Sequence, residues 1–299
     1  MNQPAPLPLS LAELESAGER IARHCVCCAS PHLLASPAVL MPFVAHRTFG
    51  WEPVVIDESW GLQTIPSGRA YSICNTLCCS ACGLVFLDLR FSAEELGRLY
   101  EGYREAAYNT LRERYEPGYT LRNDALNEGI DYLDKVEAFL APHVPERPAV
   151  LDWGGDTGRN TPFKGRSSVF DVFDISSKPV VAGARAVGRE LVRASRYDLI
   201  VLSNVLEHVP FPAGPLREIR HSMHAGSVLY VEVPFEDIMR AGEPSTRKKH
   251  WHEHVNFFSR QSLLELLRAT GYEVLAIGEL AVYSGRKSAW LLQLACRPA

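Results

Sequence analysis

The sequence predicts an α/β protein, a mostly parallel sheet with helices on both faces, preceded by a small cysteine-rich module and a helical stretch. Three observations predict it. After residue 148, short apolar runs alternate with helical or turn segments, as in strands buried on both faces of a parallel sheet. A glycine-rich turn directly follows the first of these runs. Two Cys-x-x-Cys pairs stand ahead of them all.

Taken in order, Leu9 to Arg23 has helical apolar spacing (Leu11, Leu14, Ala17, Ile21) and leads into His24-Cys25-Val26-Cys27-Cys28. From Ala29 to Ile73 the chain is rich in proline and glycine, which predicts loops and brief strands such as Val54–Ile56 rather than helices. A second cysteine cluster, Cys74 to Cys82, ends in Gly83 and a strand-like Leu84–Leu87. Ser92-Ala93-Glu94-Glu95 then has the serine cap and acidic first turn of a helix start. Tyr100, Tyr103, Tyr108, Tyr115 and Tyr119 follow, a stretch that reads either as a lid or as helical packing surface. An amphipathic helix is expected over Arg122–Leu140, carrying Leu126, Ile130, Leu133 and Phe139, before Pro142, Pro145 and Pro148 punctuate the chain.

The main unit offers strands at Ala149–Trp153, Ser168–Phe173, Leu199–Leu202 and Ser227–Val233. A helix at Gln261–Ala269 and strands at Glu273–Ile277 and Ala289–Ala295 complete it. The expected domains are therefore 1–90, 91–148 and 149–299.

Composition narrows the function classes. The 299 residues carry a net charge of −4, which gives no global attraction to a polyanion and disfavours nucleic acid as a partner. The first residues lack a signal-peptide pattern, and no run approaches the roughly 18–20 apolar residues of a membrane span. The eight cysteines thus read as reduced thiols or metal ligands in a cytoplasmic protein.

Cys25-x-x-Cys28 and Cys79-x-x-Cys82 have the spacing of a four-cysteine structural zinc site, a zinc-ribbon-like arrangement. Cys27, Cys74 and Cys78 lie close by, and buried free thiols are the other reading.

Val150-Leu151-Asp152-Trp153-Gly154-Gly155-Asp156-Thr157-Gly158 is the most informative stretch. Glycines after a buried strand let the backbone turn and approach a ligand where a Cβ would collide. Asp174 stands 20 residues after Gly154 at the end of the next strand, where a carboxylate can accept from both hydroxyls of an adenosine ribose. A ligand-free βα turn would leave the same trace.

Together with Tyr197-Asp198-Leu199-Ile200-Val201-Leu202-Ser203-Asn204-Val205-Leu206-Glu207-His208-Val209, these residues resemble the ordered motifs of class I S-adenosylmethionine-dependent methyltransferases. The resemblance implies a Rossmann-like sheet and a cofactor site made of Asp152, Gly154, Gly155, Asp156, Gly158, Asp174, Ile175, Ser203, Asn204 and His208. Asp156 departs from the family's glycine. It would either repel the cofactor's carboxylate or pair with its α-amino group. Asn204-x-x-Glu207 also has capping-box spacing, so a helix start is the plainer reading of that pair.

The cysteine pairs and the Cys-Gly-Leu-Val-Phe ending also resemble the zinc-binding preamble of bacterial sugar methyltransferases, including C-methyltransferases of nucleotide-linked deoxyketosugars. Those enzymes have an aromatic-x-Glu-His-x-x-Phe-Phe-Ser element, matched here by Trp251, Glu253, His254, Phe257, Phe258 and Ser259. The resemblance implies that His254 is the general base and that Glu253 orients the substrate or the imidazole. Two rival readings stand beside it. His250, His252 and His254 would share one face of a strand and bind a second metal, or Ser259 would simply cap the helix at Gln261. Arg112, Arg114, Arg247, Lys248 and Lys249 are candidates for holding a phosphate or diphosphate.

The sequence thus points to methyl transfer from S-adenosylmethionine to a small molecule, a sugar or nucleotide-linked sugar, at carbon or oxygen. An RNA methyltransferase using the zinc module and a non-catalytic cofactor-binding scaffold are the alternatives.

Overall fold

A computed structural model of the chain describes residues 9–60, 68–70, 72–103, 105–121, 130–176, 178–284 and 287–299. The first helix, Leu11–Ala17, opens on a Ser10–Glu13 capping box and ends at Gly18 with φ +59°. The helix expected to run on to Arg23 stops there because a left-handed residue cannot continue it. Strands β1 (Leu33–Leu40), β2 (Val54–Ile56), β3 (Gly68–Ala70), β4 (Ile73–Cys79) and β5 (Val85–Leu87) follow. A helix at Pro42–Phe49 interrupts the region expected to lack one. Proline is compatible with its first turn, and Phe43, Val44, Ala45 and Thr48 are buried. The Ser92–Glu95 capping box opens the helix Ala93–Tyr100 as expected, and Ala106–Tyr115 is a further helix. Of the helix expected at Arg122–Leu140, Leu133–Leu140 is present, and residues 122–129 lie outside the described residues.

The main sheet contains β6 (Ala149–Trp153), β7 (Val169–Phe173), β8 (Arg185–Ala186), β9 (Tyr197–Ser203) and β10 (Met223–Pro234). Two short strands, β11 (His250–Trp251) and β12 (Asn256–Phe257), come next, then β13 (Tyr272–Ser284) and β14 (Lys287–Pro298). Among the described residues its order is β13-β14-β10-β9-β6-β7-β8. β6 pairs in parallel with both β7 and β9, while β14 runs antiparallel to β10 and to β13. Successive residues of β9 face opposite sides. Ile200 and Leu202 pack with Leu216, Ile219, Leu263 and Leu266 from two helices, and Leu199 and Val201 pack with Val136 and Leu140. The chain order reverses at β6 and β9, so the crevice at their carboxyl ends is the expected ligand position.

The amino-terminal strands form a second sheet of order β11-β1-β4-β5-β12, so residues 250–257 return to complete it. Its edges pair Val39 with His250, and Asn256 with Phe86. One buried cluster holds Cys25, Cys82, Leu84 and Phe86 together with Phe258, Leu263, Val231 and Val233, which fuses the two sheets. Among the described residues no helix is long and apolar enough to cross a membrane.

Between the sheets sits a polar staple. Arg90 is fully buried, and its guanidinium donates to the carbonyls of Pro210 (2.8 Å) and Leu87 and to Asn256 Oδ1 (3.2 Å). The Asn256 amide donates to the carbonyls of Leu206 (2.9 Å) and Val209 (2.7 Å). The Glu207 carbonyl in turn accepts from the backbone of Val255 (2.7 Å) and Asn256. The loop after β9 and the segment before β12 are thereby locked together.

Candidate functional site

The carboxyl ends of β6, β7, β9 and β10 open into a cleft of ≈ 2130 Å³, lined at one end by residues 152–157 and 173–176. Gly154 has φ +81°, and a Cβ there would meet Val205 Cγ2 at 2.5 Å. A Cβ on Gly155 would meet Asp152 Cγ at 2.3 Å. Gly158, expected on the cofactor, instead packs the turn onto β7, where a Cβ would lie 2.8 Å from Val172 Cγ2. It is not among the residues lining the cleft.

Asp156 adopts φ +51°, a left-handed conformation that aspartate tolerates better than most side chains. That is how it occupies the family's glycine position. Its N–H donates to Asp174 Oδ2 (2.8 Å), and the Ser176 N–H donates to Asp174 Oδ1 (2.6 Å), fixing the Asp174 carboxylate at the cleft wall. The Asp156 carboxylate lies 3.4 Å from Lys178 Nζ, so its charge has a counter-ion. Burial pushes the Asp152 carboxyl up to about 7, against the Thr161 hydroxyl that donates to it at 2.5 Å. Ile175 lines the same end.

Ser203 Oγ and Asn204 Nδ2 both donate to Glu232 Oε1, at 2.6 and 3.0 Å. The capping-box reading of Asn204 and Glu207 fails here. Asn204 has φ +52°, and the next helix begins only at Ala213. Glu232 is buried on β10 and organises this loop from below.

At the other end of the cleft stand Tyr100, Glu207, His208, Glu236, Glu253 and His254. His208 Nδ1 meets Tyr100 Oη at 2.8 Å, and burial, with His254 nearby, holds its imidazole down at about 3. The His208 and His254 rings are edge to face with centroids 4.6 Å apart. His254 Nδ1 lies 3.6 Å from Glu236 Oε1. Burial opposes protonation of His254, but Glu236, Glu207 and Glu253 together carry its pKa above the ordinary value. Glu207 is 2% exposed, and neither carboxylate oxygen has a hydrogen-bond partner among the described residues.

Glu253 does not orient the imidazole. Its carboxylate is held by Arg112 Nη2 at 2.5 Å, and although burial opposes ionisation, Arg112 keeps it down at about 2. Arg112 is itself buried, bonded to Glu116 (3.0 Å) and stacked on the Tyr119 ring at 4.2 Å, so it is not a phosphate ligand. The three-histidine face is not formed either, because β11 is two residues long. His252 pairs with Glu116 (3.2 Å), while His254 turns toward Glu207 and His208.

Glu236 escaped the sequence reading, and the partners of Tyr100 and Arg112, His208 and Glu253, escaped it as well. Glu236 alone left a trace, as an acid just past a predicted strand. The 141-residue separation of Arg112 from Glu253 left none.

Cys25, Cys28, Cys79 and Cys82 converge, with Sγ atoms 3.5 Å apart for Cys25 and Cys82 and 3.6 Å for Cys28 and Cys79. Cys27, Cys74 and Cys78 lie outside this group. The knuckle is tied to the helix Arg260–Ala269 through Ser259, which caps that helix and donates to the Cys82 carbonyl at 2.9 Å.

Residues 127–277, half of the chain, match a family described as a methyltransferase domain. No curated protein matches the chain. Among solved structures, the chain is similar to the 1,6-didemethyltoxoflavin-N1-methyltransferase of Burkholderia thailandensis bound to 1,6-didemethyltoxoflavin and S-adenosylhomocysteine. The identity is 18% over 74% of this chain and 96% of that one, with a TM-score of 0.48. A putative methyltransferase of Bacillus halodurans shares 13% identity over 56% of this chain and 99% of its own, with a TM-score of 0.45. The glycopeptide N-methyltransferase MtfA with S-adenosylmethionine shares 15% over 57% and 95%, with a TM-score of 0.43. The chain belongs to the methyltransferase-domain family and is a class I S-adenosylmethionine-dependent methyltransferase.

Proposed function

We propose that the protein methylates a small polar acceptor, a sugar or nucleotide-linked sugar, held at the end of the cleft bounded by Tyr100, His208, Glu253 and His254. The observation that carries this reading is the continuity of the cleft. One space joins the glycine turn and Asp174 to a wall of histidines and carboxylates. A hydroxyl-rich molecule suits such a wall. The net charge of −4 gives no global attraction to a nucleic-acid backbone.

When bound, S-adenosylmethionine supplies the methyl electrophile and the thioether that leaves. The chain's part is to position and to exclude water. Asp174, held by two backbone donors, is set to accept from the ribose hydroxyls. Gly154 and Gly155 leave room for close backbone approach, and Lys178 offsets the charge of Asp156. Tyr100 and Arg112 hold His208 and Glu253 in place, and His254, beside Glu236 on the cleft wall, takes the acceptor's proton.

The four converged cysteines fit a structural Zn²⁺. A tetrahedron with Zn–S bonds of about 2.3 Å has S···S edges of roughly 3.8 Å, close to the observed separations. The ion's contribution is to the fold. Bound there, it would anchor the Cys82 carbonyl that receives Ser259, which lies a few residues beyond His254.

Three outcomes are expected. Incubation with S-adenosylmethionine and a panel of nucleotide-linked ketosugars and hydroxysugars should release S-adenosylhomocysteine and yield a singly methylated sugar. Methylation of RNA with none of any sugar overturns the proposal. In thermal-shift titration, S-adenosylhomocysteine at about 100 times its dissociation constant should stabilise the wild type by roughly 2.7 kcal/mol, and Asp174→Ala should lose most of that shift. Removing the thiolate-bound zinc, or Cys82→Ser, should lower the melting temperature and abolish turnover. The S-adenosylhomocysteine affinity of the remaining folded protein should change little, and an equal loss of both would place the module at the cofactor instead.

A further inference from the structure

We infer that Glu207, His208 and His254 form a binding site for a divalent first-row transition ion, open to the acceptor end of the cleft. The inference rests on the reading of that end as the acceptor site, and it names what would hold an acceptor oxygen there.

Each of the three residues offers one ligand atom, and these atoms lie within 4.8 Å of one another. Small side-chain adjustments would close that spread around an ion with N and O bonds of about 2.0–2.2 Å. Glu207 is 2% exposed, and its two oxygens are without a hydrogen-bond partner among the described residues. A buried carboxylate left in this state is costly unless a cation or donor completes it.

The imidazoles are prepared in the way metal-ligating histidines usually are, with the second ring nitrogen already engaged. His208 Nδ1 meets Tyr100 Oη (2.8 Å) and the Glu253 carbonyl (3.3 Å), and His254 Nδ1 faces Glu236 (3.6 Å). This leaves Nε2 of each ring for the ion, and His208 Nε2 is 3.8 Å from Glu207 Oε1. The backbone beneath is rigid, because the Glu207 carbonyl receives the N–H groups of Val255 and Asn256.

Two imidazoles and one carboxylate suit ions such as Mn²⁺, Fe²⁺, Co²⁺ or Zn²⁺ and leave coordination positions open. The neighbouring group of Glu116, His252 and Glu253 differs in the decisive respect. Arg112 already lies against both of its carboxylates, so it has no deficit of positive charge. An ion at Glu207 would bind an acceptor hydroxyl or ketone oxygen and polarise it. His254 then serves as a ligand rather than as the free base expected from its resemblance to sugar methyltransferases, and the proton of the polarised acceptor passes to Glu236, the cleft carboxylate beside it that no arginine among the described residues holds.

The test is titration of Co²⁺ into protein whose cysteine site is filled with zinc, followed by calorimetry and visible absorption. One equivalent should bind without the intense thiolate band that exchange into the cysteines would produce. Glu207→Gln and His254→Ala should each weaken binding by about a hundredfold or more, and Glu236→Gln by roughly 10–100-fold. The S-adenosylhomocysteine thermal shift, run on every variant, verifies folding and reports the cofactor half separately. Absence of a second Co²⁺ site in folded wild type, or binding that Glu207→Gln leaves unchanged, overturns the inference. Sugar methylation by ion-free protein would do so while leaving the proposed function standing. Co²⁺ binding at these residues without methylation of any sugar would support the site and count against the sugar reading alone.

Discussion

The interaction on which the rest depends is the buried contact between Arg90 and Asn256. Arg90 is fully buried with no carboxylate bonded to it among the described residues, and burial pulls its pKa down to about 9. Carbonyl oxygens and the Asn256 amide oxygen carry the burden of stabilising the guanidinium. Such a cation is tolerated only where several dipoles converge, and here they come from three stretches far apart in sequence. Asn256 passes the constraint on to Leu206 and Val209. Glu207 and His208, from the main sheet, are therefore held against Glu253 and His254, whose flanking strands belong to the amino-terminal sheet. The acceptor end of the cleft exists because the two sheets are joined at this point.

The cofactor end depends on a different economy of space. Val205, Asp152 and Val172 pack so closely against Gly154, Gly155 and Gly158 that any side chain at these positions would displace them. Asp156 keeps the left-handed turn without being glycine, and its backbone N–H, rather than its carboxylate, steadies Asp174. A departure from the family pattern thus preserves the geometry that the pattern encodes. Because Lys178 answers the added charge, the loop remains compatible with an anionic or zwitterionic ligand.

The main sheet was largely legible because its strands are buried on both faces and read as continuous apolar runs bounded by turns. Ala149–Trp153 is found with its expected bounds, and β10, β13 and β14 only extend the predicted segments. The helix Pro42–Phe49 was hidden by the prolines and glycines around it, although its buried positions, Val44 and Ala45 with Thr48, have helical spacing. Strands β11 and β12 could not have been found, since two residues carry no period and their partners lie more than a hundred residues away. In the site, the cofactor turn was legible because backbone conformation demands particular residues. The carboxylate partners were not, because Arg112 with Glu253 and Glu236 with His254 are tertiary pairings.

The most direct test of this account is amide hydrogen exchange on wild type and Asn256→Ala, with and without S-adenosylhomocysteine. Loss of the buried amide should cost about 2–4 kcal/mol. It should release residues 204–210 and 250–257 together, while ligand protection at 152–158 and 174–176 persists. If 204–210 keeps its wild-type protection when 250–257 opens, the staple does not join the two halves of the site, and the account is wrong at its centre.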